Sequence, residues 1–63
     1  MYASTRETVY VDYIGGRFEA WTYRRGKRID LSIHEEQQIK AYCNKWDCAL
    51  VLTAEAKLFS HYL

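Results

Sequence analysis

The chain of 63 residues is 49% hydrophobic, has ten aromatic side chains (six Tyr, two Trp and two Phe) and carries a formal net charge of +1. This length allows one small domain, residues 1–63, in which folding buries only about 60% of the surface that the unfolded chain exposes. No apolar run approaches the roughly 18 residues of a membrane-spanning helix, and residues 1–6 lack the order of a secretory signal, so we expect a cytoplasmic protein without a membrane partner.

A β-hairpin is the strongest local pattern in the chain. Residues 8–14 are β-branched and aromatic, and they lead into Gly15-Gly16, a pair that can adopt the positive φ angles of a two-residue turn. Pairing across this turn puts apolar residues opposite one another on one face and a mixed set on the other. The predicted pairs are Tyr13 with Phe18, Val11 with Ala20, Val9 with Thr22, Tyr10 with Trp21, and Asp12 with Glu19.

A second two-residue turn is predicted at Arg25-Gly26, and it adds a third antiparallel strand. In this register Ile29 lies opposite Thr22, and Leu31 lies opposite Ala20. Alternation along the three strands then collects one apolar face, which we expect to form the core. Its predicted members are Val9, Val11, Tyr13, Phe18, Ala20, Ile29 and Leu31.

An amphipathic helix should follow the third strand. Ser32 and Glu35 have the spacing of a capping box, which predicts a helix that begins at about residue 33. Apolar residues then recur at helical spacing, with polar residues between them. We expect this stripe to cover the apolar face of the sheet. It consists of Ile39, Tyr42, Cys43 and Trp46.

The last quarter of the chain begins with the short apolar run 48–53, which is suited to a buried fourth strand, although periodicity alone does not exclude a helix. Residues 54–63 are equally compatible with a short helix docked on the core and with a tail exchanged with a second subunit in a homodimer. The predicted fold class is therefore α+β: a three-stranded antiparallel meander packed on one amphipathic helix, with a fourth strand and a short C-terminal helix or tail.

Enzymatic and metal-binding chemistry is not predicted. A thiolate nucleophile would have to pair Cys43 or Cys48 with His34 or His61, and a zinc site would need all four of these residues. The spacing of the two cysteines does not match the two-residue gap of common zinc sites, and their positions on the helix and strand predict buried thiols. We therefore expect a non-enzymatic protein that uses no cofactor and no metal.

Positive charge is concentrated in residues 17–28, where five cations and one acid give a net charge of +4. The cations are Arg17, Arg24, Arg25, Lys27 and Arg28. A basic hairpin of this kind, with Trp21 and Tyr23 in the strand that leads to its turn, is typical of a phosphate-binding loop. The alternative is a solvated turn whose charges protect the edge of the sheet from aggregation.

The stretch GRFEAWTYRRGKRI at residues 16–29, followed by a polar-capped helix, resembles a known class of DNA-binding domain. This class contains the arm-site-binding domains of phage-type tyrosine recombinases and the plant AP2 domains, in which a three-stranded sheet packs on a helix. The resemblance covers about two-thirds of the chain, and it implies that the exposed sheet face enters the major groove of DNA. It places the contacts on Arg17, Trp21, Tyr23 and Arg28, with Arg24, Arg25 and Lys27 at the turn.

The mixed face of the sheet also favours a second function. Tyr10, Trp21 and Tyr23 alternate there with arginines and acids, and Tyr, Trp and Arg are the residues that dominate protein interfaces. A short chain without enzyme motifs resembles the small accessory proteins of phages, many of which inhibit a host protein. The sequence therefore predicts DNA recognition first, and a protein–protein module that inhibits or modulates a host protein second.

Overall fold

A computed structural model describes residues 6–63, so most of the N-terminal stretch that argues against a secretory signal lies outside the described residues. Three strands, a helix, a fourth strand and a short helix follow one another, and this order confirms the predicted α+β fold. No helix among the described residues is long and apolar enough to cross a membrane. The elements are β1 (Thr8–Ile14), β2 (Arg17–Arg24), β3 (Lys27–Asp30), α1 (Glu36–Trp46), β4 (Ala49–Leu52) and α2 (Ala54–Phe59).

The two predicted hairpin turns are confirmed. Gly15 and Gly16 have φ angles of 61° and 82°, and Arg25 and Gly26 have φ angles of 53° and 75°. Positive φ at both central residues is the type I′ geometry, whose twist matches the twist of the paired strands. The registers also agree with the sequence: the observed pairs include Tyr10 with Trp21, Val11 with Ala20, Asp12 with Glu19, Tyr13 with Phe18, and Thr22 with Ile29.

β4 joins the sheet beside β1 and runs parallel to it, which gives the strand order β3-β2-β1-β4. The Ala49 amide donates to the Glu7 carbonyl at 2.8 Å, and the Thr53 amide donates to the Val11 carbonyl at 3.0 Å. A parallel pair needs a long crossover, and α1 supplies it. The fourth strand is thus confirmed, with an orientation that the sequence pattern did not specify.

The core lies between one face of the sheet and the two helices. Val9 and Val11 are fully buried, as is Thr22, whose hydroxyl donates to the Thr8 carbonyl at 2.7 Å. Ile39 and Cys43 reach the core from α1, and Ala56 reaches it from α2. Since β1 and β2 are covered by the helices on this side only, their opposite face is left open.

The predicted start of α1 is wrong. The helix begins at Glu36, and its N-cap residue, Glu35, makes no side-chain capping hydrogen bond. Ser32 has a φ angle of 56°, so it belongs to the bend that follows β3 and cannot cap a helix from that position. The chain then crosses the end of the sheet, where His34 Nδ1 lies 2.9 Å from the Phe18 carbonyl oxygen.

The assignment of Trp46 to the core stripe is also wrong, because its side chain is 60% exposed. Trp46 is the last residue of α1, and Asp47 leaves the helix with a φ angle of 52°. Cys48 then turns back into the core, and its amide donates to the Cys43 carbonyl at 2.9 Å. The reversal therefore buries Cys48 and leaves Trp46 in contact with solvent and the Lys45 ammonium.

The C-terminal segment forms the short helix α2 and a tail that packs on its own chain. Thr53 caps α2 by accepting a hydrogen bond from the Ala56 amide at 3.2 Å. Phe59 stacks on Tyr13 at 4.3 Å between ring centroids, whereas Leu58 of the same helix is 76% exposed. The docked helix is the arrangement seen, and exchange of the tail between subunits stays a prediction.

Candidate functional site

The face of the sheet that points away from both helices is the main candidate site, and we call it the open face. Alternation along the paired strands decides its composition, because the residues that alternate with the buried ones along each strand point to the other face of the sheet. It combines aromatic, charged and aliphatic side chains. Its members are Thr8, Tyr10, Asp12, Ile14, Arg17, Glu19, Trp21, Tyr23, Arg28, Asp30 and Val51.

Three aromatic side chains form a cluster at the centre of the open face, and we call Tyr10, Trp21 and Tyr23 the aromatic cluster. The rings of Tyr10 and Trp21 stack at 6.1 Å with an interplanar angle of 17°. Tyr23 meets Tyr10 edge to face at 5.6 Å, and 50% of its surface is exposed. The guanidinium of Arg28 lies 4.2 Å from the centre of a Trp21 ring. The side chains of the cluster therefore pack against one another, and the outer surface of Tyr23 contacts solvent.

Acids on the same strands neutralise the arginines of the open face. Arg17 Nε lies 2.7 Å from Glu19 Oε2, and Arg28 Nε lies 3.2 Å from Asp30 Oδ1. In each pair the two residues are separated by one position, so both side chains point outward. With Asp12 the face holds three acids and two arginines. Two arginines against three acids leave the face with no surplus of positive charge.

Arg24 lies on the opposite side of the sheet, where it connects β2 to the start of β1 and to α1. Its guanidinium contacts both carboxylate oxygens of Glu7, at 3.0 and 3.3 Å, and the Tyr42 hydroxyl at 3.3 Å. The hydrogen bond from Arg24 holds the pKa of Glu7 below its usual value, and burial raises the pKa of Tyr42. Arg24 thus lies on a different face from the aromatic cluster. We call its contacts with Glu7 and Tyr42, which link β2 to the start of β1 and to α1, the brace.

The remaining predicted contact residues lie at the second turn. Arg25 and Lys27 are exposed, and neither forms a salt bridge within residues 6–63. Arg25 lies in the β2–β3 turn itself, and Lys27 is the first residue of β3, paired with Arg24. The eight residues predicted from the sequence therefore divide into an aromatic and arginine face, a basic turn and the brace at Arg24.

Sequence reasoning missed Glu7 as the partner of Arg24. The signal was present in the register, because extending the pairs Val11–Ala20 and Tyr10–Trp21 toward the N-terminus puts Glu7 opposite Arg24. Glu7 also helps to line a cleft of about 400 Å³ beside the aromatic cluster. The other residues that line the cleft are Arg6, Thr8, Tyr10, Tyr23 and Arg24.

The two cysteines are buried thiols. Burial raises the pKa of Cys43 to about 11 and also raises the pKa of Cys48, so both thiols are protonated at neutral pH. In the part of the chain that the structure describes, no three His, Cys, Asp or Glu side chains are placed to share a metal ion.

Comparisons with protein-family models, with curated proteins and with solved structures find no match to this chain. The resemblance to sheet-plus-helix DNA-binding domains therefore stays a prediction. The sheet of this chain has four strands among the described residues, because β4 lengthens it on the side of β1.

Proposed function

We propose that this protein is a non-catalytic binding module that recognises another protein through its open face. The observation that carries the proposal is the aromatic cluster, in which Tyr10, Trp21 and Tyr23 lie side by side on a paired sheet next to Arg28. Aromatic and arginine side chains are enriched among the few residues that supply most of the binding energy in protein interfaces. Their mutual packing also lowers the conformational entropy that binding removes.

The charge pattern of the open face favours a protein over DNA as its partner. A duplex laid on this face would bring phosphates toward Asp12, Glu19 and Asp30, and each acid would oppose binding. The arginines there are already paired with two of these acids, so little positive charge is available for phosphate groups. A protein surface of mixed charge can complement such a face, which then selects a partner by charge pattern.

DNA recognition remains a second candidate because of the basic turn. Arg25 and Lys27 project from a two-residue hairpin turn, and neither has an acidic partner among the described residues. Exposed cations of this kind can contact phosphates and release counterions, which gives affinity without sequence specificity. In this alternative the turn carries the binding, and the aromatic cluster contributes less.

The protein-binding proposal is tested by alanine substitution in the aromatic cluster. Pull-downs with the wild type and with the Trp21→Ala variant as baits identify proteins that only the wild type retains. One of these proteins is then purified, and its binding is measured by calorimetry. We expect Trp21→Ala and Tyr23→Ala each to weaken its binding by at least about tenfold. The matched control, Arg25→Asn with Lys27→Gln, should keep the wild-type affinity.

Circular dichroism of each variant separates lost contacts from lost folding, and Tyr23→Ala is the safer variant because half of the Tyr23 surface is exposed. Folded variants of Trp21 and Tyr23 that bind the purified partner as tightly as the wild type would contradict the proposal.

The DNA alternative is tested by fluorescence anisotropy with a labelled duplex of mixed sequence, first at about 50 mM salt and then at about 200 mM. If the basic turn binds phosphate, the affinity for the duplex falls steeply as the salt concentration rises. The Arg25→Asn, Lys27→Gln variant then loses most of the affinity that the wild type shows at the lower salt concentration. Absence of binding at the lower salt concentration would remove DNA as a candidate.

A further inference from the structure

The outer edge of β4 offers unpaired backbone groups. β4 is an edge strand, and within residues 6–63 no strand pairs with the side of it that points away from β1. The amides of Ala49 and Thr53 point inward and bond to the β1 ladder. Successive peptide groups of a strand point to opposite sides, so the N–H and C=O groups of Leu50 and Leu52 point outward.

The two edges of the sheet differ in their protection. β3, the opposite edge, has three charged residues among its four, namely Lys27, Arg28 and Asp30. Charged side chains on an edge strand hinder its pairing with another chain. β4 has the sequence Ala-Leu-Val-Leu, with no charge, proline or glycine. It is therefore the edge at which the sheet can be extended.

We propose that β4 pairs with β4 of a second copy of this chain, in the antiparallel sense and about a two-fold axis at Val51. In this register Leu50 lies opposite Leu52 of the partner subunit, and the reverse pair is equivalent by symmetry. The outward groups of these residues then form about four backbone hydrogen bonds. Val51 meets Val51 of the partner subunit in the closer, non-hydrogen-bonded type of pair.

The side chains of β4 suit a self-pair on both faces of the sheet. Val51 is 47% exposed on the open face, and the pair would cover part of its surface. Leu50 and Leu52 are partly buried against the core on the other face. At a two-fold axis a residue faces its own copy, so a charged residue there would face a like charge. In β4 only aliphatic side chains face one another across the axis. A second copy is therefore the occupant that the strand fits.

A pair of four-residue strands is a small interface, so the dimer should be weak, with a Kd between about 10 µM and about 1 mM. The combined sheet would have eight strands, since each copy contributes four. Its two open faces would form one continuous surface, with an aromatic cluster on each side of the axis. A partner with its own two-fold symmetry would then engage both clusters at once.

Sedimentation velocity of the full chain, from about 10 µM to about 1 mM, tests the pairing directly. We expect the sedimentation coefficient of the wild type to rise across this range. Val51→Lys should keep the protein monomeric, because two lysines would meet at the axis. Ile14→Lys is the matched control: it introduces the same charge on the open face at a residue that is 56% exposed, and it should dimerise like the wild type.

Amide hydrogen exchange of the wild type gives a second measurement that needs no variant. The outward amides of Leu50 and Leu52 should exchange more slowly as the protein concentration rises, while the amide of Ala49 changes little because it already bonds to Glu7. A wild type that stays monomeric up to about 1 mM would overturn the proposal. Association that leaves the Leu50 and Leu52 amides unprotected would also overturn it, because another surface would then form the dimer.

Discussion

The arginines near the second turn have different roles because they lie on different sides of the hairpin. Arg24 braces Glu7 and Tyr42 on the α1 side, and Arg28 covers Trp21 on the open face. Arg25 lies at the turn itself with a positive φ angle. Within one basic segment, Arg24 thus supports the fold, Arg28 shapes the candidate site, and Arg25 carries an exposed charge at the turn. Substitutions within this segment should therefore have separable effects.

Replacing Arg25 with asparagine should stabilise the protein. Arg25 has a φ angle of 53° at the first central position of a type I′ turn, where asparagine before glycine is preferred. We expect the free energy of unfolding to rise by about 0.5–1 kcal/mol, measured by urea denaturation.

Lys27→Gln removes a charge from the same hairpin without changing the turn, and its effect should lie within about 0.5 kcal/mol. If Arg25→Asn is no more stable than the wild type, the positive φ angle is not a source of strain.

At the scale of elements, the tail after α2 is held by one carboxylate at the start of α1. Glu36 Oε2 accepts hydrogen bonds from the Ser60 hydroxyl at 3.0 Å and from the amides of His61 and Tyr62 at 2.8 and 3.1 Å. Burial raises the pKa of Glu36, but these hydrogen bonds lower it by more, so the pKa lies below its usual value. The attachment of the tail should therefore depend on pH.

A folded-state pKa below the unfolded value means that Glu36 contributes stability above the unfolded pKa of about 4.3 and loses it as the pH falls through the lower, folded value. Glu36→Gln should therefore be less stable than the wild type at pH 7, and the difference should shrink as the pH falls through that window. Urea denaturation at a series of pH values measures this difference. A difference in the free energy of unfolding that stays constant with pH would show that the charge of Glu36 is not what holds the tail.

The packing of α2 predicts a large effect on stability at one of its positions and a small effect at another. Ala56 is fully buried against the sheet, so Ala56→Leu should overpack the core and lower the free energy of unfolding by about 1–3 kcal/mol. Leu58→Ser replaces a side chain that is 76% exposed and should change it by less than about 0.5 kcal/mol. Thermal denaturation of the two variants checks the orientation of the helix. Equal destabilisation by both would mean that α2 is rotated on the core.

At the scale of the whole molecule, the fold separates the face of the sheet that builds the core from the open face, on which the proposed recognition rests. Both helices cover one face, so the few large side chains of the core lie there, and the open face is available for contact. A chain of 63 residues has little stability to lose, which makes this separation useful because changes on the open face spare the core. The proposed β4 pairing would enlarge the open face without altering the core of either copy.

Much of the sheet and of the candidate site followed from the sequence alone. The two turns and the alternation of residues 8–31 set the registers of β1, β2 and β3, because a slip of one residue would expose the whole apolar face. Tyr10 lies beside Trp21 as predicted, and the register of the second hairpin also brings Arg28 beside Tyr23. These features depend on neighbours that are close in the sequence, and for that reason local patterns determined them.

Other features were decided only by the tertiary structure. The parallel pairing of β4 and the brace between Arg24 and Tyr42 join parts of the chain that are distant in sequence. The start of α1 and the exposure of Trp46 follow from where the backbone reverses, at Ser32 and at Asp47. Local propensity and periodicity do not predict contacts between distant parts of the chain, because such contacts depend on where the connections place each element in space. The sequence by itself therefore determined the meander and its two faces, and the tertiary structure decided which residues the helices, β4 and the tail cover.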